Sequence, residues 1–233
     1  MKTIKLFALV LILFTGLCDT VAQNDKREVT KFMGIPVDGT KASMIQQLKA
    51  KGFKQNVAQD CLEGEFNGKK VMVSVVTNNN KVYRITLLDI VGSNENTIKN
   101  RFNYLCKQFE SNGKYLSDPE NHYLDDAEDI SYEITVHKKQ YEAAYYQMPE
   151  TKIDSTELME VLQTKIYEKY TQEYLDTASV EEMLDISSEI LGDYIYEKVA
   201  KRCVWFTIVK VGLEYKILMF YDNLYNQANG EDL

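Results

Sequence analysis

The chain has 233 residues and a formal net charge of −8. Such a surplus of carboxylates repels phosphate backbones and anionic headgroups, which argues against nucleic acid as a partner and against electrostatic adsorption to anionic lipid. A chain of this length buries a sizeable core without covalent staples, as one large domain or two small ones.

The first residues set the expected destination. Lys2 and Lys5 precede an almost unbroken apolar run from Leu6 to Leu17, and small residues follow at Thr20-Val21-Ala22. The run is about half of the roughly 20 residues that cross a bilayer. Residues 1–22 therefore read as a secretory signal peptide, cleaved after Ala22, and the chain is expected in the periplasm or beyond. Cys18 offers a competing lipid-anchor site, disfavoured because Leu17 and not a small residue precedes the sulfur. No other stretch is apolar enough to span a membrane.

Residues 23–113 read as helix, three-stranded meander, helix. Thr40 is a good N-cap, Met44, Ile45 and Leu48 share one helical face, and Gly52 stands where a left-handed residue ends a helix, with Phe53 placed to fold back on Leu48. Leu62 to Phe66 alternates, Asn67-Gly68 is a hairpin signal, Val71, Val73 and Val75 share a face, and Asn78-Asn79-Asn80 turns the chain into a strand from Val82 to Leu88. Ser93 and Asn94 cap a second helix whose apolar side holds Ile98, Phe102, Leu105, Cys106 and Phe109. Residues 114–128 then read as an acidic linker between two halves. The cluster from Asp118 to Asp129 lacks the ligand spacing and central glycine of an EF-hand, so a solvated linker explains it better than calcium.

Residues 129–233 begin with an alternation, Ile130, Tyr132, Ile134 and Val136, that predicts a strand. Lys138-Lys139 turns it into a partner strand carrying Tyr141, Ala143 and Tyr145. Asp154 with Glu157 and Ser179 with Glu182 have capping-box spacing and open two helices. Cys203 to Tyr221 is the most apolar hairpin, with large apolar groups on both faces, as in a strand pair central to a sheet or covered on each side. The predicted class is α+β, helices packed on antiparallel sheets. The order also allows the halves to be two versions of one helix-on-sheet unit, although no residue-by-residue alignment relates them.

Chemistry is harder to find. Asp38-Gly39 before a capped helix lacks the Lys-Ser/Thr pair and further glycines of a phosphate loop. The two histidines, His122 and His137, stand in no zinc-binding pattern, and no glycine-flanked serine elbow occurs. Ser111 and Lys114 match a serine–lysine spacing but straddle the helix stop Asn112-Gly113. Cys61, Cys106 and Cys203 survive cleavage, and their spacing selects no pair; three small core residues is the simplest reading. No metal and no cofactor is expected. The one compositional anomaly is 16 tyrosines, most of them after residue 100. Tyr141, Tyr145, Tyr146, Tyr215, Tyr221 and Tyr225 are the candidate ligand-binding residues, as an aromatic patch on a sheet face. The plainer alternative is that strands favour tyrosine for packing.

The segments FMGIPVDGTKASMIQQLKAKGF, LEGEFNGKKVMVSVVTNNNKVYRITLLD, EDISYEITVHKKQYEAAYYQMP and FYDNLYNQANGEDL resemble an uncharacterised Bacteroidetes family of secreted proteins across nearly the whole mature chain. The resemblance implies export in a Gram-negative cell and brings no activity, cofactor or catalytic residue. The order of the first half is also similar, at the level of fold, to the helix-plus-sheet modules of small periplasmic inhibitor and assembly proteins, and folds do not fix functions. The expectation is an exported, non-catalytic protein that binds another protein or an envelope component through a tyrosine-rich sheet face. The alternative is a secreted hydrolase using carboxylates or Cys203 in a cleft between the halves.

Overall fold

In the computed structural model, residues 28–118, 122–151 and 154–228 are described; the expected signal peptide, its cleavage point and Cys18 lie outside them. The chain divides into a larger unit, Val29–Met148 with Lys201–Leu233, and a smaller one containing Pro149–Ala200.

Turn and cap residues set the outline of the larger unit. A two-residue hairpin, β1 (Lys31–Phe32) and β2 (Ile35–Pro36), leads into α1 (Lys41–Ala50), where the Thr40 hydroxyl accepts from the Ser43 N–H at 3.2 Å. Gly52 at φ +99° ends the helix, and the Phe53 N–H returns to the Leu48 carbonyl. Four strands follow: β3 (Lys54–Asn56), β4 (Cys61–Phe66), β5 (Lys69–Asn78) and β6 (Lys81–Asp89). Asn67-Gly68 and Asn79-Asn80, all at positive φ, make the two tight turns, residue types that tolerate the left-handed region. Gly64 leaves room for the Phe53 ring, whose Cδ1 would lie 2.4 Å from any Cβ there.

The second half repeats this plan. After α2 (Glu95–Glu110) come β7 (Tyr115–Ser117), β8 (Glu142–Gln147), β9 (Cys203–Val211) and β10 (Glu214–Asp222). The eight strands form one antiparallel sheet in the order β3-β4-β5-β6-β10-β9-β8-β7. The order is palindromic: two helix-plus-four-strand repeats meet where β6 pairs with β10, in a register running from Leu88↔Leu218 to Arg84↔Asp222. The α+β class and the paired helix-on-sheet plan expected from the sequence are what the chain builds.

Alternate residues of β5, β6, β9 and β10 point to one face and pack against α1 and α2. Val73, Ile85, Val204 and Phe206 from the sheet meet Met44, Leu48, Ile98, Phe102 and Leu105 from the helices, all essentially inaccessible to water. Phe206 stands edge-on to Phe102 and stacks near Phe109 and Tyr145, with centroids 5.1, 5.9 and 6.1 Å away. Each such large apolar side chain contributes about 1.5–3 kcal/mol by leaving water.

Three expectations need correction. Residues 130–137 are not a strand: they form a helical turn, α3 (Ile130–Tyr132), running into a π-helical turn over Glu133–His137. The Asp129 carboxylate accepts from the Tyr132 N–H, and Lys138 at φ +58° ends the segment. Ile130 and Ile134, four residues apart, touch the core, whereas Tyr132 and Val136 face water. A spacing of four fits both the strand and the helix period, which is why the alternation misled. Second, the stretch 114–128 carries strand β7 and is tied to α2, so it is not a free linker. Asn103 exchanges hydrogen bonds with the backbone of Leu124, and the buried Lys99 ammonium donates to the carbonyls of Asp126 and Glu128. Third, both halves share one sheet, so no cleft separates them.

The smaller unit is helical: α4 (Ser155–Lys169), α5 (Gln172–Thr177) and α6 (Val180–Val199). The sequence reading had two helices here and missed the short middle one. Ser179 and Glu182 make the full reciprocal capping box, whereas Glu157 instead takes hydrogen bonds from Lys198 and Tyr194. Leu162, Ile166, Leu175, Met183, Ile186, Ile190 and Leu191 form a separate core. Among the described residues no helix is long and apolar enough to cross a membrane.

Candidate functional site

The face of the large sheet opposite α1 and α2 has no helix of the larger unit packed on it, and its side chains are read off the register. Across the strands run Met72, Leu88, Leu218 and Thr207; then Ser74, Thr86, Phe220, Trp205 and Ala144; then Val76, Arg84 and Asp222. Most of these are half-buried, the ordinary state of side chains lining a sheet with solvent above.

At the centre the residues lock one another in place. The Arg84 guanidinium grips Asp222 through two hydrogen bonds, Nε to Oδ1 at 2.6 Å and Nη2 to Oδ2 at 2.7 Å. The Trp205 indole N–H donates to the same Oδ2 at 2.9 Å. The indole stacks on Phe220 with centroids 4.1 Å apart and planes at 23°, and the Arg84 guanidinium lies 4.6 Å from the Phe220 centroid. Phe220 is thus held between a cation and an indole, and Asp222 ties both. Asp222 is only 2% exposed and Phe220 8%. The hydrogen bond to Asp222 raises the Arg84 pKa against the opposing cost of burial, so the pair stays ionised. A planar fork on a carboxylate and a stacked indole lose little entropy on contact, because both are already fixed.

The tyrosines expected to form the binding patch go elsewhere. Tyr141, Tyr145, Tyr215 and Tyr221 are buried in the helix-covered core. The physical reason is that each occupies an inward position of its strand, where a ring fills volume between sheet and helix. Tyr141 donates to Glu128 at 2.6 Å. Tyr146 is half-buried and shares the open face with Trp205, while Tyr225 follows β10 with its N–H on the Asn223 side chain. Trp205, Phe220 and Arg84 were missed as a site. The signal was present: the hairpin from Cys203 to Tyr221 is apolar on both faces, and helices cover one of them.

The thiols are poor nucleophiles. Cys106 is fully buried beside the Tyr145 hydroxyl, and burial pushes its thiol up to about 11. His122 approaches the same tyrosine, with ring centroids 6.2 Å apart, but thiol and hydroxyl both lie sealed in the core. Cys203 is pushed up to about 12 by burial and by the nearby Asp222 charge. Burial raises Cys61 as well, and the three thiols are unpaired. Ser111 donates to the Gln108 carbonyl and closes α2. Among the described residues no group of three or more His, Cys, Asp or Glu could hold a metal ion. Within the smaller unit, a groove of about 340 Å³ between α4 and α6 is walled by exposed residues of both charges, including Lys165, Glu168 and Glu197.

Comparison of the chain with protein-family models, with curated proteins and with solved structures gives no match.

Proposed function

We propose that the chain is an exported, non-catalytic binding protein that takes a partner protein on the open face of its sheet. The observation that carries this reading is the Arg84–Phe220–Trp205–Asp222 cluster, set among half-buried Met72, Leu88 and Leu218. Interfaces concentrate their energy in Trp, Tyr and Arg, ringed by apolar contacts that exclude water. A pleated face suits another protein surface better than a small molecule, which needs a concavity. The raised thiols support the non-catalytic side of the reading, and the leader-like Lys2, Lys5 and Leu6–Leu17 support export.

The test places a photo-crosslinking amino acid at Leu218, and separately at Leu88, in the producing cell. A single protein adduct at both positions, lost when Trp205→Ala is added, is the expected result. Absence of any adduct at both positions, with the protein correctly folded, rejects the reading. The chain has one tryptophan, so the emission of Trp205 then reports docking of the purified partner directly. Cys203→Ser is expected to leave the adduct unchanged, whereas a hydrolase using that thiol would lose its activity.

A further inference from the structure

One end of the large sheet combines exposed apolar side chains with lysines that face no carboxylate. The β9–β10 turn projects Leu213, which is 95% exposed, and Val211, with Gly212 at φ +63° between them. Val91, 71% exposed, precedes the short bridge of Ser93 to Tyr215 and so sits at the same end. Lys210 donates to Thr135 Oγ1 at 3.0 Å and Ser131 Oγ at 3.3 Å, which brings the α3 turn, with exposed Tyr132 and Val136, alongside the hairpin.

The charges here differ from the chain as a whole. Lys210 is bonded to hydroxyls, Lys138 to the Thr135 carbonyl at 2.8 Å and Lys216 to the Ile90 carbonyl at 2.8 Å. Neutral oxygens leave these ammonium groups with their full charge. The acids at this end are Glu214, which packs on Gly92, Glu133, ion-paired with His137, and Glu128, paired with Lys139. An otherwise acidic molecule thus presents three uncompensated lysines around an apolar tip.

We infer that this end of the sheet is a peripheral membrane contact, with Leu213 and its neighbours entering the headgroup–acyl boundary and the lysines meeting anionic phospholipid headgroups. A convex tip touching almost nothing of its own chain suits a fluid medium that closes around it, whereas a protein partner would need a matching pocket. Lysine stems lie along apolar material while their ends stay wet, which is the arrangement a bilayer interface selects. Strands β9 and β10 would then stand upright on the surface, leaving the open face free.

The experiment uses the full chain carrying Trp205→Phe and Leu213→Trp, with vesicles of brominated phosphatidylcholine with or without phosphatidylglycerol. Because the new indole sits at the tip, contact made by any other segment does not quench it. Quenching that needs phosphatidylglycerol and fades with added salt is expected, while Trp205 of the parent chain stays unquenched. Leu213→Asp is expected to weaken phosphatidylglycerol-dependent binding at least about tenfold, the equivalent of withdrawing one buried leucine. Its melting temperature should be unchanged, since the side chain packs against nothing. An unquenched tip indole on vesicles that still carry the chain overturns the inference. So does a Leu213→Asp variant with undiminished affinity, or a photo-crosslink from position 213 to a protein.

Discussion

The two faces of the large sheet come from the same strands and differ only in which alternate residues point each way. On the covered face, large apolar rings meet helices and reach near-zero exposure, as for Phe206 and Tyr145. On the open face, the aromatics have no such cover, and a polar clamp from Arg84 through Asp222 to Trp205 holds them in place. The lesson is that a hydrophobic strand has two ways to be ordered. One is to be buried by another layer, and the other is to be pinned by hydrogen bonds within its own layer.

This contrast is sharpened by substitutions graded by their cost. Phe206→Ala should be the most damaging, opening a cavity among Phe102, Phe109 and Tyr145 and destabilising the larger unit by about 3–5 kcal/mol in denaturant unfolding. Asp222→Ala should come next. It leaves the Arg84 charge and the Trp205 N–H without their acceptor, and we expect a loss of about 2–3 kcal/mol. That is below the range for a fully buried pair because the Arg84 side chain is 24% exposed. Recovery of most of this stability by Asp222→Asn, which retains an acceptor for the indole, would show that the hydrogen bond and not the charge dominates.

A smaller effect is set by pH. Glu128 accepts from Lys139 and Tyr141, which lowers its folded pKa below the ordinary carboxylate value. The stability it contributes is therefore present above the unfolded value of about 4.3 and lost as pH falls through the folded one. Thermal melts between about pH 5 and pH 3 should show the parent losing stability more steeply than Glu128→Gln, and equal slopes would remove Glu128 from the account. The smallest effect on folding should be Leu218→Lys on the open face, within about 0.5 kcal/mol. The same change should abolish photo-crosslinking at Leu88, separating stability from binding.

Much of the covered face was legible in the sequence. Thr40, Gly52, Asn67-Gly68 and the valines of β5 each specify their structure locally, and the local signal agreed with the tertiary one. The open face was less legible because the pattern of a strand does not say which face a helix will cover. The tyrosines were read as a patch because strand propensity places rings without saying whether they point in or out. Residues 130–137 failed for a different reason: Ile130 and Ile134 satisfy both periods, and only the Asp129 cap distinguishes them. The short strands β3 and β7, three residues each, are too brief to show any period.

The insertion between β8 and β9 has a consequence of its own. The Gln147 N–H donates to the Arg202 carbonyl at 2.9 Å, so the chain leaves the sheet and re-enters it at hydrogen-bonded neighbours. The entropy of closing such a detour rises only with the logarithm of its length. A tight turn or an unrelated module could therefore stand in place of Pro149–Ala200 without changing the ladder, and this junction is a natural port for recombination.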